Sequence, residues 1–215
     1  MPPTPAPERK SSWEDYRSWN DGKRWEVIDG EVFAMTPAPS LRHQWVSHEL
    51  SRTLGNHFKK SPCDVFHAPT DVKLADDTVV QPDLVVVCDR KQQRGSHIEG
   101  APKLVIEILS PSSVIHDRMR KMELYARQGV KEFWIVTPFP SLIEVYVLEG
   151  GRYAHAAAHA PGDTLRSPTF PDLSIAMDEI FDFPPEEGDE LIQLVKEATP
   201  PGAQQTTAPD DASIT

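Results

Sequence analysis

A mixed α/β domain is what this sequence of 215 residues predicts, with a central mixed sheet flanked by helices and extra β-hairpins around it. Three observations carry that expectation. Val46, Leu50, Leu54 and Phe58 recur every four residues, the apolar face of a helix. QPDLVVV at 81–87 and LVIEIL at 104–109 are short apolar runs bounded by turn residues, the pattern of buried strands. The amphipathic DRMRKMELYARQ at 117–128 then ends at Gly129 and runs into FWIV, the strand–helix–strand pattern of a crossover.

Taken in order, Trp13 to Trp19 suits a short helix. Trp25 to Met35 suits a hairpin, because Asp29-Gly30 is a strong tight-turn dipeptide between β-favouring runs. Pro37 and Pro39 interrupt the chain, Ser40 offers an N-cap, and a helix is expected to about Lys59. Strands are expected over Val65–Leu74, Val79–Cys88 after an Asp76-Asp77 turn, and Lys103–Leu109. Ser110-Pro111 opens a helix that stops at Gly129, where a left-handed residue closes it. Glu132–Thr137 and Leu142–Leu148 follow as strands, then a hairpin through Gly150-Gly151, the segment Leu165–Ile175, and a short helix over Asp178–Phe181. The order of core elements is helix, three strands, helix, strand.

Composition narrows the class. The length suits one core and one domain over 13–183. Residues 1–12 are Pro-rich and 199–215 lack periodicity, so both are expected to be disordered, and 184–198 reads as an acidic C-terminal helix. No apolar run approaches a membrane span, and the opening stretch lacks the apolar core of a signal peptide. Cys63 and Cys88 sit in unrelated contexts and suggest neither a disulfide framework nor a zinc site, so the cytoplasm is the expected compartment. A formal charge of −11 argues against indiscriminate nucleic-acid binding, which needs a basic surface.

Asp83 and Glu107 sit at or inside the apolar runs, and Lys121 lies on the helix that follows. A carboxylate in a buried strand is costly unless a cation, a metal or hydrogen bonds compensate it. Two acids and a lysine on neighbouring strands and a helix are the parts a metal-dependent phosphodiesterase requires. Each has a structural counterpart. Asp83 after a proline can simply start a strand, Glu107 and Lys121 can be an ion pair tying helix to sheet, and His43 can be a packed histidine. Glu26 and Asp29 read as turn and packing residues, Asp71 as a supporting acid or an exposed one, Gln81 as a strand-fixing residue, and Arg118, Arg120 and Arg127 as the solvated side of their helix.

These residues also carry a resemblance. WEVIDGEVFAMTPAP at 25–39, LRHQ at 41–44, QPDLVVV at 81–87, LVIEILSPSS at 104–113, DRMRKMELYARQGVKEFWIV at 117–136 and LRSPTFPDLSI at 165–175 resemble the Uma family within the PD-(D/E)xK nuclease superfamily. The resemblance spans about 13–182. It implies a restriction-endonuclease-like fold and a Mg²⁺-dependent endonuclease acting on DNA, with Mn²⁺ as a substitute ion. The proline–aspartate pair falls on Pro82-Asp83 and the second acid on Glu107. The superfamily's lysine position is Leu109 here, so Lys121 takes that role from the next helix. Asp83, Glu107 and the Ile108 carbonyl become the implied metal ligands, with Glu49 as a weaker one. His43 is implied to contact phosphate or a metal-bound water, and the loop Arg90–Gly95 is the candidate clamp on a nucleic-acid backbone. Cutting both strands would call for a homodimer. The alternative is a catalytically inactive module that keeps the fold to bind protein or nucleic acid.

Overall fold

The computed structural model describes residues 10–35, 39–110, 115–184 and 189. The expected N-terminal segment up to Arg9, the helix entry at Pro111, the acidic helix beyond Pro184 apart from Asp189, and the tail 199–215 lie outside the described residues.

Helix α1 (Trp13–Ser18) opens with a capping box in which Ser12 and Asp15 satisfy each other's backbone N–H. Strands β1 (Trp25–Ile28) and β2 (Glu31–Ala34) pair antiparallel through the Asp29-Gly30 turn, where both residues have positive φ, 53° and 82°. Ser40 caps α2 (Leu41–Phe58) by accepting from the His43 N–H, and Val46, Leu50, Leu54 and Phe58 are buried as the four-residue spacing requires.

The expected strands Val65–Leu74 and Val79–Cys88 are each divided in two. The first becomes β3 (Asp64–His67) and β4 (Asp71–Ala75), the second β5 (Thr78–Val80) and β6 (Leu84–Val87). The breaks fall at Pro69 and Pro82, because proline has no N–H to give a ladder. β4 pairs with β5 in one sheet and β3 with β6 in another, so residues 64–87 are one long hairpin bent across two sheets at its two prolines. The corners are joined where the Ala68 N–H donates to the Asp83 carbonyl at 2.9 Å.

After a single turn of tight helix at Arg90–Gln92 come β7 (His97–Glu99), β8 (Leu104–Ile108), α3 (Ile115–Gln128), β9 (Glu132–Thr137), β10 (Leu142–Glu149) and β11 (Arg152–His159). β12 (Thr164–Arg166), β13 (Ser174–Ala176) and α4 (Met177–Ile180) close the order. One sheet runs β2-β1-β5-β4-β7 and the larger runs β11-β10-β9-β8-β6-β3, while β12 and β13 pair separately. β8 and β9 are parallel across α3, which ends at Gly129 with φ 87° as expected. Leu124 and Tyr125 of α3 pack with Val105, Phe133 and Ile135 in the core.

Cys63 and Cys88 are joined in a disulfide, contrary to expectation. The strand register explains it. Asp64 faces Val87 in the β3–β6 ladder, so the next pair outward brings the two cysteines opposite each other. The pairing also withdraws one of the grounds for expecting a reducing compartment. No helix among the described residues is long and apolar enough to cross a membrane.

Candidate active site

The β6–β8 ladder places the two acids. Leu84 faces Ile106 and Val85 faces Val105, so one step further sets Asp83 opposite Glu107. Opposed residues of an antiparallel pair point to the same face with Cβ atoms about 5 Å apart. The Asp83 carboxylate is held at both oxygens: Oδ2 accepts from the Ile108 N–H at 2.7 Å, and Oδ1 lies 3.3 Å from His43 Nε2. His43, on the buried face of α2, is therefore a partner of Asp83. Burial pulls its pKa down, but the hydrogen bond and charge of Asp83, the Ile108 carbonyl and the charge of Glu107 together leave it raised.

Glu107 is only 14% exposed. Its Oε1 accepts from Tyr125 Oη at 2.6 Å and from Lys121 Nζ at 3.1 Å. Burial pushes its carboxyl up to about 7, against the pull of the Lys121 charge and with the push of the Asp83 and Glu26 charges. The same burial and the neighbouring Glu107 keep the Tyr125 hydroxyl protonated well beyond its ordinary range.

Lys121 lies on the buried side of α3 and reaches both sheets: its Nζ is 3.2 Å from Glu26 of β1 as well as 3.1 Å from Glu107 of β8. Glu26, expected to be a packing residue, is thus part of the site, and its Oε1 also accepts from the Gln81 N–H at 3.0 Å. The signal was present in the sequence, since Glu26 is an acid inside the strand WEVI just as Glu107 is inside LVIEI. Gln81 extends the network. Its side-chain amide donates to Asp71 at 2.8 Å and to Tyr16 at 3.2 Å, and Tyr16 Oη donates to Asp71 at 2.6 Å. Asp71 is a supporting acid of this network.

Of the arginines of α3, Arg118 and Arg120 are partly buried rather than on a solvated face, and Arg127 is exposed as expected. Arg118 donates to Glu144 at 2.6 Å and to Tyr146 at 3.2 Å, Arg120 lies over the Phe33 ring at 3.8 Å, and Arg127 pairs with Asp29 at 2.7 Å. Arg118 also lines, with Glu107, Ile108 and Lys121, a cavity of about 40 Å³, room for a few water molecules.

Among the described residues, no contact brings Glu49 to this site. It is held by Arg52, with Nε at 2.9 Å, and it lies six residues beyond His43, on another side of α2 and about 9 Å along its axis. The loop Arg90–Gly95 is pinned: Gln93 donates to Asp64 at 2.8 Å, and Gln92 to the Ala101 carbonyl at 2.9 Å. It begins past the end of β6 remote from Asp83, roughly 17 Å along the strand.

The donor chemistry fits a hard divalent cation. Asp83, Glu107 and the Ile108 carbonyl offer oxygen only, and a carboxylate oxygen holding a hydrogen bond keeps acceptor capacity. Among the described residues no three His, Cys, Asp or Glu side chains form a ligand cluster. Two carboxylates with a carbonyl, waters and a substrate phosphate is the manner in which Mg²⁺ is commonly held.

Known proteins resemble the chain in sequence and in fold. The family model of Uma2, described as "Putative restriction endonuclease", matches residues 13–178. An uncharacterized protein of Synechocystis is 30% identical over 145 residues, covering 66% of this chain and 76% of its own. A crystal structure from Anabaena variabilis, titled a "putative nuclease belonging to DUF820", superposes with a TM-score of 0.65 at 18% identity, covering 80% of this chain and 98% of that one. The fold is the expected α/β restriction-endonuclease-like one, and the chain, matched over most of its length, belongs to the Uma2 family.

Proposed function

We propose that this protein is a Mg²⁺-dependent endonuclease that hydrolyses DNA phosphodiester bonds at Asp83, Glu107 and Lys121, with Mn²⁺ able to substitute. The observation that carries the proposal is the placing of Asp83 opposite Glu107 across β6 and β8, with the Lys121 ammonium on Glu107. Asp83, Glu107 and the Ile108 carbonyl are the groups that would hold the ion. Bound there, Mg²⁺ supplies Lewis acidity and a water of lowered pKa. His43 and the Ile108 N–H fix the rotamer of Asp83, so the carboxylate does not need to reorganise when charge develops. Tyr125 does the same for Glu107. Lys121 holds positive charge beside Glu107 and Glu26, where it would offset the phosphoryl oxygens, and Arg118 adds a second cation on the cavity wall.

The test is calorimetric titration of Mg²⁺ and Mn²⁺ into wild type, Asp83→Asn and Glu107→Gln, with plasmid nicking under the same conditions. Both substitutions are expected to abolish nicking while circular dichroism stays native. Nicking that survives both sinks the proposal.

A second reading has its own support. Lys121 is buried between Glu26 and Glu107, as an ion pair tying α3 to both sheets would be. On that reading the domain binds nucleic acid or protein without cutting, and wild type neither binds metal in the presence of DNA nor nicks.

A further inference from the structure

We infer that the cleft beside α1 captures one unpaired nucleobase of a nucleic-acid strand. This deepens the proposed nuclease reading, on which it rests, by naming the state of the substrate that is held. Trp13, Tyr16, Trp19 and Trp25 wall a cleft of about 340 Å³, with Asp71 and the cations Arg17 and Lys23 also lining it. That volume lies in the range of pockets that take small ligands, roughly 300–1,000 Å³. The rings form a continuous series, with centroids 5.7 Å apart from Trp13 to Tyr16, 5.6 Å to Trp19 and 6.3 Å on to Trp25. Trp19 and Trp25 are only partly buried, so part of each ring remains accessible to a ligand. Packing a core does not explain an aromatic series left open in this way. Stacking explains it, because every nucleobase has a flat π-face and each stacked base contributes through the aromatic ring.

Two further observations choose the occupant. Arg17 lies 5.8 Å over the Trp13 ring and Lys23 5.8 Å over the Trp25 ring, so a phosphate attached to a stacked base meets positive charge on an otherwise acidic protein. The cleft is also wired to the candidate active site. Gln81 bonds Asp71 in the cleft through its side chain and Glu26 through its main-chain N–H, and Glu26 bonds Lys121. Two residues, Gln81 and Glu26, therefore link Asp71 of the cleft lining to Lys121, which puts both within reach of neighbouring nucleotides of one strand.

Three of the five tryptophans line this cleft, so intrinsic fluorescence reads its occupancy. The full chain is titrated in EDTA, where no cutting occurs, with a short single-stranded oligo(dA), a fully paired duplex, dAMP, and a peptide of residues 1–10. The single strand is expected to quench and the duplex to bind far more weakly. Trp19→Ala is expected to weaken single-strand binding by about 5- to 100-fold, with Trp19→Phe largely restoring it. Circular dichroism establishes that each variant is folded, and Trp19, outside the buried core, can be replaced without opening it. Equal binding of duplex and single strand, or an unchanged Trp19→Ala, overturns the inference. So does saturation by dAMP as tightly as by the strand, which assigns the cleft to a mononucleotide, or by the Pro-rich peptide, which assigns it to the chain's own N-terminus. Nicking without quenching removes the base cleft and keeps the nuclease, whereas quenching without metal-dependent nicking keeps the cleft and removes the nuclease.

Discussion

Glu107 places opposite demands on stability and metal binding. Its folded carboxyl is raised from an ordinary 4.5 to about 7, chiefly by burial. A folded pKa above the unfolded one means that the neutral form favours folding. The contribution is full below about 4.5 and is lost as pH rises through about 7. Glu107→Gln removes that dependence. Without metal, the variant is expected to gain stability relative to wild type between pH 5 and pH 8, read by urea denaturation at each pH; a difference independent of pH would show that the carboxyl ionises normally. Metal reverses the preference, since it requires the carboxylate. Sequence alone could not have separated this residue from its neighbours in kind. Glu26, Glu107 and Glu132 are all acids inside apolar strands, and Glu132 is completely buried. Yet Glu132 accepts from Trp134 at 2.6 Å, Ser167 at 2.8 Å and the Thr169 N–H at 2.8 Å, all neutral donors. It is a structural carboxylate, whereas Glu26 and Glu107 share a lysine. The partners come from positions up to 95 residues away, and no local pattern announces them.

At the scale of elements, periodicity and turn chemistry made α2, the Asp29-Gly30 hairpin, α3 with its Gly129 stop and the β8–α3–β9 crossover legible, because each is specified by residues close in sequence. The bent hairpin of 64–87 was not, although Pro69 and Pro82 are visible. A proline says that a ladder is interrupted, but only the second sheet says where the chain goes next. Register sets the Cys63–Cys88 disulfide in the same way, at the end of β6 away from Asp83. Its 25-residue separation corresponds to about 3.5 kcal/mol of lost unfolded-state entropy. Reduction is expected to lower the urea midpoint accordingly, with metal binding at Asp83 and Glu107 unchanged while the protein remains folded. Two alkylatable thiols in protein unfolded without reductant would refute the pairing.

For the whole molecule the governing fact is a charge of −11 on a chain proposed to take a polyanion. Long-range attraction cannot gather the substrate, and binding has to come from local contacts: the ion's charge at Asp83 and Glu107, Lys121 and Arg118 at the cavity, and the stacking rings with Arg17 and Lys23. Arg24 is nearby as well, bonded to Gln81 at 2.9 Å. Each phosphate neutralised on a single strand contributes about −0.7 to the slope of log K against log salt, so these five cations give a slope no steeper than about −3.5 in the absence of metal. An extended basic groove would give a far steeper one. Measuring single-strand affinity by fluorescence across a salt series in EDTA decides between them. A shallow slope is expected, with stacking supplying most of the affinity and little of it lost in high salt. A slope steeper than about −5 would mean that many more phosphates are neutralised than these cations can reach. A basic surface assembled from several copies of the chain would then be carrying the binding.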